Sequence, residues 1–170
     1  LAADLGWSPQ RRDALREAAL LHDVGKIGLP DALLAKGEAA SGAERTEVMR
    51  HAALGADIVR GLLSPEQTAW ILHRTERWDG AGGPEGRSGS EIPDGARILA
   101  VAKAWDALTA ARPSEDRLRP EEALRALRRS AGERFAPEVV DALQRLLRRG
   151  ALPLEGTAGD IGPERGRARG

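Results

Sequence analysis

Leu21-His22-Asp23-Val24-Gly25-Lys26-Ile27-Gly28-Leu29-Pro30 is the stretch on which the reading of this chain turns. An imidazole beside a carboxylate suits a divalent metal, because neutral His supplies nitrogen and Asp can bridge two ions. Adjacent residues on a helix point roughly 100° apart, so His22 and Asp23 reach one centre only near a helix end or a groove. Lys26 follows about one turn later on the same side, where its ammonium can hold a phosphate oxygen. Taken alone, the same dipeptide also reads as a capped helix end with a hydrogen-bonded His. Gly25 and Gly28 loosen the chain and Pro30 stops it.

Outward from this stretch, helix signals recur and strand signals are nearly absent. Ser8-Pro9 is an N-cap followed by Pro at the first helical position, and predicts a helix running to about Lys26. Leu15, Ala18, Ala19 and His22 lie on one side of it. Ser41 to Glu44 has capping-box spacing and predicts a helix to about Leu63 with Val48, Ala52, Gly55 and Val59 as its apolar stripe, Gly55 allowing close packing. Ser64-Pro65 with Gln67 repeats the signature for a helix carrying Trp70, Ile71, His73 and Arg74 that ends near Trp78. Residues 79–93 read as a long loop, of a length that is often functional. About Gly95 to Ala111 is apolar on most sides and reads as the central buried helix. Pro120 and Pro137 each open a further helix. From about Ala151 the chain is rich in Gly, Pro and Arg without periodicity. The expected architecture is an all-α bundle of about six helices, with a domain over 1–150 and a disordered tail or linker over 151–170.

Composition narrows the options. The chain has 170 residues, 41% of them hydrophobic, enough for one domain with a core. Lys+Arg and Asp+Glu number 26 each, so no net charge pulls it toward DNA or an anionic membrane. There is no cysteine, which excludes disulfides and thiolate chemistry. No segment approaches the roughly 20 apolar residues of a membrane span, no signal peptide is visible, and a cytoplasmic location is expected. The start at Leu1 reads as a piece of a longer polypeptide.

The quoted stretch resembles the signature of the HD superfamily of metal phosphohydrolases, and in detail its HD-GYP branch. Further pieces follow in order. Met49-Arg50-His51-Ala52-Ala53-Leu54-Gly55 is similar to the branch's second histidine motif. Glu76-Arg77-Trp78-Asp79-Gly80-Ala81-Gly82-Gly83-Pro84 is similar to its third. Arg97 to Ala102, Trp105 to Thr109, Arg112-Pro113 and Phe135-Ala136-Pro137 also fit. The resemblance implies an HD-domain-like helical bundle whose N-terminal helix is missing or truncated here. It implies cleavage of cyclic di-GMP with bound iron or manganese ions, which activate a water and neutralise the phosphodiester. Mapped onto this sequence, His22, Asp23 and His51 are candidate metal ligands, with His73 a further one and Asp106 nearby. Asp23 and Lys26 are the candidate catalytic pair, and Lys26 and Arg112 would bind substrate.

The pattern is broken at several positions. Two histidines expected before Glu76 are Arg74 and Thr75; guanidinium has no lone pair to give a metal. An expected Asp is Lys103, which inverts a charge and predicts a Lys103–Asp23 ion pair in the space of a metal. The tyrosine of the Gly-Tyr-Pro motif is Gly83, and Glu115 would repel a phosphate near Arg112. Two function classes follow. One is a non-catalytic signalling module acting through protein or nucleotide contacts, with cyclic di-GMP, a regulatory domain or a diguanylate cyclase domain as partners. The other is a weakly active phosphodiesterase with a reduced metal site. Trp70, Trp78 and Trp105 read as packing residues rather than base-stacking platforms. Arg125, Arg128, Arg129, Arg145, Arg148 and Arg149 read as a solvated face, and Asp79-Gly80 as a turn.

Overall fold

Local capping starts the helices. A computed structural model of the chain describes residues 1–36, 42–110 and 118–152. Seven α-helices occur among these residues: α1 (Pro9–Leu21), α2 (Asp31–Lys36), α3 (Gly42–Val59), α4 (Pro65–His73), α5 (Asp94–Thr109), α6 (Pro120–Arg129) and α7 (Pro137–Arg148). Short 3₁₀ turns lie at Val24–Gly28 and Gly89–Glu91. Ser8 caps α1 through the Arg11 amide, and Ser64 and Gln67 form the expected capping box on α4. Pro120 and Pro137 open α6 and α7. The Ser41–Glu44 box, the Val48 side chain, Arg112 to Glu115 and the segment from 153 lie outside the described residues.

Three ends differ from the sequence expectation. The first helix stops at Leu21, and residues 24–28 tighten into the 3₁₀ turn that holds Gly25 against α3. The third stops at Val59, where the amides of Leu62 and Leu63 fold back onto the Val59 carbonyl and Gly61 takes a φ of 90°. The fourth stops at His73, because the amides of Trp78 and Asp79 donate to the carbonyls of Arg134 and Glu133 instead of continuing the helix. The one helix beyond the expected six, α2, is only six residues long, too short for a periodic signal.

The core runs between α1, α4, α5 and α7. Trp70, Ile71, Leu143 and, from α6, Leu127 are its largest fully buried members. Trp70 is 1% exposed and stacks obliquely on Trp7, with ring centroids 5.4 Å apart. Trp78 and Trp105 pack against the same core, half-buried. Arg11 lies 3.9 Å over the Trp7 ring and pairs with Glu66 and Asp94, the first-turn acids of α4 and α5. One guanidinium therefore ties together three helices.

Two glycines set the spacing. A Cβ on Gly95 would lie 2.4 Å from the Trp70 indole, so α5 crosses α4 with the ring flat against backbone. A Cβ on Gly25 would lie 2.0 Å from the His51 carbonyl oxygen and 2.5 Å from the Gly55 amide nitrogen. The 3₁₀ turn thus sits on α3 backbone to backbone. Gly95→Ala should lower the unfolding free energy by about 1–3 kcal/mol, as overpacking does. Gly25→Ala should cost at least as much, because its obstacle is main chain. Urea denaturation reads both, and unchanged midpoints would show the contacts to be looser than this.

Candidate functional site

The early end of α1 gives the site its shape. His22 is the C-cap of α1 and Asp23 stands between that helix and the 3₁₀ turn. The change of direction lets neighbours face one centre, which a straight helix forbids. His22 Nδ1 donates to the Ala19 carbonyl at 2.6 Å, which leaves Nε2 turned to Asp23 Oδ1 at 3.4 Å. Packing of Gly25 on α3 brings His51 to the same carboxylate, Nε2 to Oδ1 3.9 Å. Lys26 reaches back from the turn to Asp23 Oδ2 at 2.5 Å. From α5, Lys103 Nζ approaches Oδ1 at 3.4 Å, the pair expected from the sequence.

Arg74 completes the cluster. It caps the C-terminus of α4 and its side chain is 2% exposed. Nη1 donates to the Ile71 carbonyl at 2.9 Å. Nη2 lies 3.2 Å from Asp23 Oδ1 and 2.6 Å from His51 Nε2. An arginine nitrogen can only donate, so His51 Nε2 must receive with its lone pair. Sequence reasoning identified Arg74 as a lost ligand and missed that it fills the centre. The signal was available in residue size: from a helix end, a long cation can extend to a carboxylate on a neighbouring element.

Burial pushes the Asp23 carboxyl up, but His22, Lys26 and Lys103 outweigh it and hold it far below the ordinary carboxylate range. Burial pulls Lys103 down, Asp23 raises it, and the neighbouring Arg74 and Lys26 lower it again. Burial also lowers Arg74, against the pull of Asp23.

The other candidates fall elsewhere. His73 is 3% exposed, and the carboxylate its Nδ1 faces, at 3.5 Å, is Glu76 rather than Asp23. Thr75 Oγ1 donates to the Gly83 carbonyl. Asp106 is exposed on α5, one turn past Lys103. Arg112 lies outside the described residues. Asp79 accepts from the Ala81 amide and pairs with Arg77, which makes the turn read from the sequence; these partners hold its carboxyl down to about 2. Glu76, quoted only as part of a motif, is a positioning residue. Its buried carboxylate accepts the amides of Glu85 and Gly86 at 2.8 and 3.1 Å and holds the long loop to the end of α4.

These residues do not fit the divalent centre that the resemblance implies. Among the described residues no three His, Asp or Glu side chains gather as a metal site. The lone pair of His51 Nε2 is taken by Arg74, and one carboxylate faces three cations. A dication 4 Å from a single ammonium is repelled by about 8 kcal/mol at an effective dielectric of 20. Asp23 can offset one such term, not three.

The site and the bundle together define a helical domain built on a His-Asp turn. The HD domain family matches over residues 1–139, and the chain belongs to that family. It is 39% identical over 152 residues to the cyclic di-GMP phosphodiesterase response regulator RpfG of Xanthomonas campestris, covering 85% of this chain and 39% of that protein. It is 37% identical over 149 residues to a cyclic di-GMP phosphodiesterase of Thermotoga maritima, covering 86% and 40%. The chain thus spans about two fifths of these relatives. The crystal structure of a cyclic GMP-AMP specific phosphodiesterase of V. cholerae, V-cGAP3, shares the fold with a TM-score of 0.72 at 24% identity, over 92% of this chain and 43% of that one. No helix among the described residues is long and apolar enough to cross a membrane.

Asp23→Asn should destabilise the domain by roughly 2 kcal/mol, below the ~3–5 of a fully buried pair because the Asp23 side chain stays 30% exposed. Denaturation in EDTA measures it. The depressed Asp23 value places that contribution above about pH 4, with progressive loss as the pH falls further. The gap between wild type and variant should therefore hold from pH 8 to 5 and close in acid. A variant as stable as wild type at pH 7 would show that Asp23 is not the counter-ion of the cluster.

Proposed function

We propose that this chain is a non-hydrolysing signalling domain of the HD-GYP type, which acts by binding a nucleotide or a protein rather than by cleaving a phosphodiester. The observation that carries this reading is the Arg74 guanidinium lodged between Asp23 and His51, 3.2 and 2.6 Å from their polar atoms. Metal-dependent cleavage needs an ion to activate water and a carboxylate to hold that ion. Here the carboxylate is engaged by Lys26, Arg74 and Lys103.

Cyclic di-GMP is the nucleotide of choice, since the two relatives compared above, 39% and 37% identical to this chain, are named as its phosphodiesterases. One of them is a response regulator, which supports a regulatory domain as the partner that reads this one. The same domain without turnover would serve as a receiver of the messenger.

Incubation of the purified protein with cyclic di-GMP and manganese, followed by chromatography of the nucleotides, tests the reading. No linear product should form over hours, and metal analysis should find well under one ion per chain. Turnover that disappears in Asp23→Ala would establish a reduced but working hydrolase instead.

A further inference from the structure

The Asp23 cluster is layered. Arg74 lies at the bottom, all but sealed from solvent, with Nη1 held by Ile71 and Nη2 by Asp23 and His51. Above it, Lys26 and Lys103 each keep 42% of their side-chain surface exposed. Both amines point at the same carboxylate, from the 3₁₀ turn and from α5. One anion cannot balance three cations, so the outer face carries surplus positive charge. Like charges gathered this way cost stability unless a further anion joins them.

Resting on the non-hydrolytic reading, we propose that Arg74 stands permanently where a metal cation would sit between Asp23 and His51. The Lys26 and Lys103 amines above it then bind the phosphodiester of a nucleotide without any divalent ion.

The donor inventory supports this. An ammonium has three N–H donors. Lys26 and Lys103 each direct one toward Asp23 and retain others for phosphate oxygens. The buried guanidinium keeps the carboxylate from repelling the incoming phosphate. Ions that would compete are excluded by the same charge that attracts the ligand. A bound phosphodiester meets no activated water here, so it leaves as it came.

Calorimetric titration of cyclic di-GMP into the full chain, first in EDTA and then with manganese, tests the proposal. The affinities in the two buffers should agree within about two-fold. Lys26→Met and Lys103→Met should each weaken binding by about 10- to 100-fold, the worth of a charge-assisted hydrogen bond. Without ligand, Lys103→Met should melt no lower than wild type, because it removes a like charge while Lys26 and Arg74 still neutralise Asp23. Binding that appears only with manganese, that survives both lysine changes, or that is matched by inorganic phosphate would overturn the proposal. Absence of binding together with absence of turnover would defeat it and leave the non-hydrolytic reading standing. Manganese-dependent turnover would defeat that reading itself.

Discussion

The contact of Gly25 with the backbone of α3 governs the rest of the molecule. There is no room for a methyl group between Gly25 and the His51 carbonyl. Main chain therefore meets main chain, and the 3₁₀ turn is held at a fixed height on α3. That height determines where Asp23 stands relative to His51, and both relative to the α4 terminus. A looser contact would let the carboxylate drift by an ångström, enough to break hydrogen bonds of this length. The site is thus a consequence of backbone packing before it is a matter of side-chain chemistry.

Onto that frame the chain places cations. A buried guanidinium is costly to desolvate, and it persists only with its donors satisfied. Arg74 meets this condition through Ile71, Asp23 and His51, leaving Nε as its one buried atom without a partner among the described residues. The bonds that stabilise the arginine are the same bonds that would otherwise hold an ion. Structural adequacy and metal binding therefore compete for one set of atoms, and here the arginine holds them.

Much of this was legible in the sequence, for reasons that can be named. Helix starts were read correctly at Ser8, Ser64, Pro120 and Pro137 because start signals are local: a proline in the first turn at all four, and at Ser8 and Ser64 a hydroxyl that accepts the amide three residues on. The end of α4 was misplaced because distant contacts decide it. The amides of Trp78 and Asp79 are claimed by carbonyls more than fifty residues later, which no local pattern records. The Lys103–Asp23 pair was legible because a charge inversion at a shared centre has an obvious electrostatic answer. Arg74 was harder. Its type showed what could not happen, a metal bond, but its reach to both Asp23 and His51 depends on α4 ending about five residues earlier than expected, at His73. The same early end leaves His73 facing Glu76, inside the structure that anchors the long loop.

Packing and site electrostatics are separable in this chain. The packing rests on the glycine contacts, the capped starts of α1 and α4 and the Trp7–Trp70 pair. The site draws on separate elements: Asp23 stands between α1 and the 3₁₀ turn, His51 lies within α3, Arg74 caps α4 and Lys103 comes from α5. Arg74, Thr75 and Lys103, the three replacements in the motif that the sequence resembles, sit in an intact bundle. Two of the replacements carry positive charge to a carboxylate that is already in place, so each is stabilised by what the fold provides. A scaffold that positions an anion at a helix junction can accept either a metal ion or a side-chain cation there, and the charge of the residues around that anion, rather than the fold, decides which it holds.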